Sequence, residues 1–398
     1  MVQNVPPVPE GCLKNFNPCG TITNLLQSEI SKRQILGMAP ASTVHSQAPS
    51  GKRAKQSLGL PEYICRRFSL AEIKIATNDF DEHLRLNSKS SVGSDQFSNE
   101  VLLLCQLSHP NLVPLIGYCI DEPEMILVYE FMLNGSLSDR LFVTDSDNDP
   151  LPLKQRLQIC IGVARGLHYL HAGVKNCIIH RGVKSSNILL DEKGEAKLTD
   201  LGWSKMGPPS LSKALIRMES RVMGPPGTIG YMAPEYAMKG ELSDKADIFS
   251  FGVVLLEVLS GRRANDIIVT MEEQTHLIDW TQKCIREGTI NQIIDPYLMG
   301  KIAPECFKIY MDIATSCVRM KGTQRPTIGE VEVALEHALE LQESKDMDPG
   351  IGGAHQYMYP ILEYTRTDSP PEEDESVCES GSSTSARLSL DTATPIGQ

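Results

Sequence analysis

Apolar positions divide the chain into three segments. The first sixty residues are rich in Pro, Gly, Ser, Asn and Gln, hold no sustained apolar period, and read as a flexible arm. From Phe68 the pattern turns globular. Residues 94–107 place Phe97, Val101, Leu104 and Leu107 at three- and four-residue steps, which predicts a helix. Two apolar runs follow, 112–120 and 125–132, separated by Asp-Glu-Pro-Glu, and they predict an antiparallel strand pair. Beyond Pro152, Leu157, Ile161, Ala164, Leu167 and Leu170 share one helical face, and a short strand-and-loop region spans 178–201. Further helices are predicted over 243–260, 276–288, 304–320 and 326–343, the last with Ile328, Val331, Leu335, Ala338 and Leu341 as its buried stripe. Few strands followed by many helices predicts an α+β fold with a small β-containing lobe and a large helical lobe. After Glu343 the period ends. Pro370-Pro371, the acidic run 372–375 and a Ser/Thr-rich stretch make 344–398 a tail expected to be disordered.

Composition narrows the function classes. The chain has 398 residues, 41% apolar and 22% charged, enough for a sizeable core and wrong for a disordered or fibrous protein. Its formal charge of −12, from 38 basic against 50 acidic residues, argues against nucleic acid as a partner. The charge is uneven. Lys14, Lys32, Arg33, Lys52, Arg53 and Lys55 outnumber Glu10 and Glu29 in the arm, whereas the tail is strongly acidic. A basic arm can touch an acidic membrane face or serve as a nuclear address, and Cys65, beside Arg66 and Arg67, is a candidate acyl acceptor. The 11 cysteines are odd in number and form no C-x-x-C pair, as expected of reduced thiols in a reducing compartment. The best apolar run, 251–259, is short and contains Glu257, so no membrane span is expected; nor does the N-terminal stretch resemble a signal peptide. The chain is therefore expected to be soluble and intracellular.

Three motifs in order then point to chemistry. His180-Arg181-Gly182-Val183-Lys184-Ser185-Ser186-Asn187 follows the pattern H-R-D-L-x-x-x-N at every landmark but Gly182. Asp200-Leu201-Gly202 stands where D-F-G is found, and Ala233-Pro234-Glu235 follows. Together they resemble the protein kinase family. Arg66-Arg67-Phe68-Ser69-Leu70-Ala71-Glu72-Ile73, Ile126-Leu127-Val128-Tyr129-Glu130-Phe131-Met132, Gly166-Leu167-His168-Tyr169-Leu170-His171 and Ser250-Phe251-Gly252-Val253-Val254 are similar to plant receptor-like kinases. Leu115-Ile116-Gly117-Tyr118-Cys119 is most similar to the FERONIA-type, malectin-like receptor kinases. The likeness covers residues 60–343 and extends to the cytoplasmic part of that group alone, without its ectodomain or membrane span.

The resemblance implies roles for individual residues. Glu100 matches the helix-borne glutamate that pairs with the ATP-binding lysine. Tyr129 matches the gatekeeper, and Glu130 to Met132 the hinge that holds adenine through backbone groups. Asn187 and Asp200 match the two Mg²⁺ ligands, oxygen donors suited to a hard cation. Lys184 sits beside the transferred phosphate in the family. Arg181 can bind a phosphate on the activation segment, where Ser210, Ser212 and Ser220 are candidate acceptors. Asp247 ties down the catalytic loop, and Glu235 pairs with Arg325 inside the large lobe.

The sequence also departs from the family. Gly182 replaces the catalytic aspartate, and loss of a positioned base typically costs about 10²–10⁴ in rate, or ~3–5 kcal/mol of barrier. No G-x-G-x-x-G occurs, and the only lysine between Lys74 and Lys154 is Lys89, in a context unlike a strand. Residues 81–94 leave too little chain for the three strands that normally carry the phosphate-binding loop and its lysine, which need roughly twenty residues or more. The sequence reads as an internal deletion joining Leu84 to Arg85. This predicts a truncated small lobe with a two-stranded remnant, either partly disordered or with apolar surface left bare on the helix that follows. Leu201 for Phe is a milder change. The function expected is that of a catalytically impaired pseudokinase binding other kinases or signalling proteins, with ATP and Mg²⁺ binding weakened or absent. The alternative is an active Ser/Thr kinase, and a third reading is an aberrant splice form. The site expected is cytoplasmic, at the inner face of the plasma membrane if the arm makes peripheral contact.

Overall fold

Four strands form the small-lobe sheet: β1 (Ile35–Met38), β2 (Arg66–Arg67), β3 (Leu115–Asp121) and β4 (Glu124–Tyr129), in the order β1-β4-β3-β2. The computed structural model describes residues 35–38, 65–80, 94–121, 124–142, 149–207, 216–217, 227–266, 268–269 and 274–347. All of them belong to one unit, within Met1–Leu362. Lys89, the Leu84–Arg85 junction, Ser210, Ser212, Ser220 and residues 348–398 lie outside the described residues.

β3 and β4 are the antiparallel pair the sequence predicts, but shorter. Leu112 bridges to Leu198, and the Val113 N–H donates to the Leu198 carbonyl at 2.9 Å, so the start of the first apolar run joins the large lobe instead. The sheet is wider than the expected two-stranded remnant. β2 pairs in parallel with Gly117 and Tyr118. β1 pairs antiparallel with β4, in the register Ile35 to Val128 through Met38 to Met125. It comes from the segment that the apolar pattern assigns to a structureless arm. An unpaired β4 edge would leave a row of amide and carbonyl groups open, and the short apolar run Ile-Leu-Gly-Met satisfies them.

The sheet is covered on both faces. Ser69 caps α1 (Leu70–Ala76) in a capping box with Glu72. Phe68, Ile73 and Ala76 then pack with Cys119, Ile126 and Val128 into one buried cluster, joined by Leu70 and Phe80. Alternation along the strands sends the intervening residues to the other face. There Tyr118 meets Phe97 of α2 (Ser94–Leu104) edge-on, at 6.4 Å between ring centres. Phe97, Val101, Leu103 and Leu104 are all buried, so the bare apolar face expected of this helix is not found; Leu102 alone of its leucines is exposed. Gly117 makes the β2 contact feasible, because a Cβ there would lie 2.3 Å from the Arg66 carbonyl oxygen.

The large lobe follows the predicted helical pattern closely. α3 (Leu137–Phe142) and α4 (Leu153–His168) lead to the short strands β5 (Ile178–Ile179), β6 (Ile188–Leu190), β7 (Ala196–Leu198) and β8 (Lys205–Met206). α5 (Pro234–Lys239), α6 (Asp244–Ser260), α7 (Leu277–Glu287), α8 (Pro304–Cys317) and α9 (Ile328–Asp346) complete it. α6 is apolar nearly all round and buried, as the helix at the centre of a large lobe must be. α9 packs across α4 and α8. Among the described residues no helix is long and apolar enough to cross a membrane.

Candidate active site

The site forms where β5 turns into β6, beneath the small-lobe sheet, and the fully buried Asp247 in the first turn of α6 sets its backbone. Asp247 accepts hydrogen bonds from the N–H of His180 at 2.7 Å and of Arg181 at 2.8 Å, with His171 Nε2 at 2.8 Å. Burial raises its carboxyl, but the His171 hydrogen bond and the neighbouring donors outweigh this and hold it below the ordinary value. Arg181 takes a left-handed φ of 64°, a conformation that the two bonds to Asp247 enforce. Its guanidinium donates to the Trp203 carbonyl at 2.7 Å and to the Tyr236 hydroxyl.

The loop closes around Gly182 through two hydrogen bonds. The Gly182 N–H donates to His180 Nδ1 at 3.1 Å, and its carbonyl accepts from Asn187 Nδ2 at 2.8 Å. A Cβ on Gly182 would sit 3.3 Å from His180 Nδ1 and 3.4 Å from Asn187 Nδ2, so a side chain fits with adjustments of a few tenths of an ångström. Asn187 Nδ2 also donates to Asp200 Oδ2 at 3.1 Å, which brings the two residues matched to metal ligands together. Asp200 too is left-handed, at φ 68°. Lys184 reaches Thr228 Oγ1 at 3.4 Å, across from the segment that precedes α5.

From above, α2 clamps the Asp200-Leu201-Gly202 turn. Asn99 Nδ2 lies within 3.0–3.1 Å of the carbonyls of Leu201, Gly202 and Ser204. Glu100 is buried rather than on a solvated face, and its carboxylate accepts from the Tyr129 hydroxyl at 2.6 Å and the Leu201 N–H at 3.2 Å. Burial, and then the Asp200 charge, push the Glu100 carboxyl up to about 7, against the pull of those two bonds. Leu201 is fully buried beneath this helix and fills the slot that the resemblance assigns to phenylalanine.

Glu130 to Met132 leave β4 as the connection to the large lobe, with the Glu130 N–H bonded to the Pro114 carbonyl and the Met132 carbonyl accepting from Gly135. Far from this centre, Glu235 and Arg325 form a two-point pair at 2.6 and 2.8 Å, and the Arg325 guanidinium stacks over Phe249 at 4.8 Å. Cys65 is buried at 8% exposure, which removes it as an acyl acceptor in the folded chain.

The donor set fits half of what the family's cofactor needs. Asn187 and Asp200 lie side by side, Nδ2 to Oδ2, and both carry a side-chain oxygen of the kind Mg²⁺ prefers, although the Asn187 atom that faces Asp200 is its amide nitrogen. The phosphate-holding half does not fit. The sequence contains no G-x-G-x-x-G, and Glu100, matched to the glutamate that orients the lysine, is hydrogen-bonded to Tyr129.

Two further groups belong to the site without a sequence signal strong enough to find them. Asn99 works only through its position on the helix face above Leu201. Tyr231 donates to the buried Glu257 at 2.7 Å and lies 3.3 Å from Ser185, tying the segment before α5 to the catalytic loop. Its place just before Met232-Ala233-Pro234-Glu235 was the available hint.

The comparisons with known proteins agree with this geometry. The family profile described as protein tyrosine and serine/threonine kinase matches residues 83–335. The chain is 43% identical over 335 residues to the Arabidopsis thaliana Receptor-like protein kinase FERONIA, covering 78% of this chain and 35% of that protein. It is 42% identical over 332 residues to Receptor-like protein kinase ANXUR2 of the same plant, covering 77% and 37%. Against ANXUR1 the identity is 40% over 329 residues, covering 77% and 37%. The chain thus spans little more than a third of the length of these relatives. A profile match across residues 83–335, well over half of the chain, shows that the chain belongs to the protein tyrosine and serine/threonine kinase family.

Proposed function

We propose that this chain is a receptor-like-kinase-type signalling module in which phosphoryl transfer is lost and binding is retained. The observation that carries the reading is the pairing of Glu100 with Tyr129 above a catalytic loop that has Gly182 at the base position. Gly182 offers no group to accept a hydroxyl proton, and Lys184 beside it donates to Thr228. Bound Mg-ATP supplies the phosphoryl group in this family. Here Asn187 and Asp200 are the residues that would hold the metal, Glu130 and Met132 those beside the adenine, and weak or absent nucleotide binding follows from the missing lysine and glycine loop. The partners in this reading are other protein kinases or signalling proteins, bound through the helical lobe and the charged ends of the chain. The setting is cytoplasmic, with the basic arm near the inner face of the plasma membrane.

An active kinase is the competing reading, and the intact Asn187–Asp200 pair is what favours it. A thermal-shift titration with Mg-ATP, run beside a γ-phosphate transfer assay on the purified chain, separates the two. No transfer, with little or no shift, is the result expected. Transfer abolished by Asp200→Ala overturns the proposal, whereas transfer that survives Asp200→Ala comes from a co-purified kinase.

A further inference from the structure

β4 has two edges, and they are held very differently. On its inner side it pairs with β3, from Glu124 opposite Asp121 to Tyr129 opposite Leu115. Ile126 and Val128 are buried in the cluster with Phe68 and Ile73, and Tyr129 is tied to Glu100. These contacts keep β4 in place without help from β1. The outer edge is covered by β1, which among the described residues pairs with β4 and with no other strand. That cover is partial. β4 runs over six residues, Glu124–Tyr129, whereas β1 spans only Met125 to Val128, so one residue at each end lies beyond its ladder.

β1 is also weakly anchored. It is four residues long and includes Gly37, which loses much conformational freedom on entering a strand and brings no side chain to pack. Residues 39–64 join it to Cys65, so it meets the edge as a ligand on a tether, at an effective concentration on the order of millimolar.

We propose that the outer edge of β4 is a strand-docking surface: an extended apolar segment of a partner protein, free of proline over six residues, adds antiparallel along Glu124–Tyr129 and displaces β1. Main-chain hydrogen bonds supply the affinity, the mode by which exposed sheet edges take up peptides. A six-residue strand outlasts β1 because it pairs with Glu124 and Tyr129 as well. A second copy of this chain is the poorer occupant. Its own β1 makes the same four-residue ladder and competes with a resident already at millimolar level. The surface does not depend on the state of the catalytic loop, so its test is independent of phosphoryl transfer.

The probe is a fluorescein-labelled peptide of residues 31–42, which contains β1 and extends past both of its ends. Anisotropy reads its binding to the full chain and to the full-length double variant Leu36→Pro, Gly37→Pro. Neighbouring strand residues turn their N–H groups to opposite sides, so one of the two prolines deletes a donor to β4 whichever way the ladder alternates. The peptide should bind the variant about tenfold or more tightly than the parent, whose edge is occupied. In hydrogen exchange the outward amides among residues 125–128 should speed up in the variant and slow again when peptide is added, with those of α6 unchanged. Equal affinity for the two chains, or binding to neither, overturns the proposal. So does a dimer of the parent that peptide dissociates in light scattering, because the occupant is then a second copy. Where the variant does not fold, a photo-cross-linking form of the peptide is applied to the parent at millimolar concentration. Cross-links within residues 124–129 support the surface, and their absence overturns it.

Discussion

The Tyr129 hydroxyl donates to Glu100 Oε1 at 2.6 Å, so the last residue of β4 occupies the carboxylate that the family resemblance would pair with a lysine. Burial, and then the Asp200 charge, raise the affinity of this carboxylate for a proton.

Stability should therefore carry a pH signature. Glu100 has a folded pKa of about 7 against an ordinary 4.5, so its contribution is fully present below about 4.5 and is lost as the pH climbs through 7. Glu100→Gln keeps an acceptor for Tyr129 and Leu201 and removes the charge. Urea unfolding should show the variant gaining on the parent between pH 4.5 and pH 8, by at most about 3 kcal/mol. Parallel profiles for the two proteins would refute the assignment.

Restoring the missing carboxylate tests how many defects matter. The space around Gly182 admits a Cβ, so Gly182→Asp should fold with little change in melting temperature. Transfer of γ-phosphate should stay at background, because the phosphate-holding groups are still absent. A rise of about 10²–10⁴-fold would mean that the base was the sole defect.

Gly117→Ala should disrupt the small lobe. The added methyl meets the Arg66 carbonyl at 2.3 Å and the Phe68 ring at 2.5 Å, where backbone cannot yield cheaply. A loss of about 1–3 kcal/mol is expected from such overpacking. Equilibrium unfolding measures it, and an unchanged midpoint would show that β2 can shift away freely.

Deleting residues 1–60 removes β1 and opens the outer edge of β4. Hydrogen exchange at the amides of residues 125–128 should accelerate in the shortened chain, while those of α6 stay protected. Equal protection in both chains would show that the arm strand contributes nothing to the sheet.

Much of this protein was legible in the sequence because its signals are local. The 3.6-residue stripes of α4, α8 and α9 reflect burial of one helical face, the motif spacings put Asn187 and Asp200 on neighbouring loops, and the family resemblance singled out Asp247 on α6. Glu235 and Arg325, ninety residues apart, were paired through family resemblance, and the two-point contact is present. The width of the small-lobe sheet was not legible. Four residues of β1 and two of β2 are too few to generate a period, and their strand character comes from the edges that β4 and β3 present.

The sequence by itself determined the helical lobe, the order of the family's motifs and the presence of Gly182 within the first of them, since each depends on residue identity or local periodicity. Only the tertiary structure decided what becomes of the groups left without their usual partners. It paired Glu100 with Tyr129, gave Asn99 the turn at Leu201 to hold, and closed the β4 edge with Ile35–Met38. Buried polar groups and open strand edges must be satisfied by whatever the fold brings near, and that proximity is not written in any single stretch of chain.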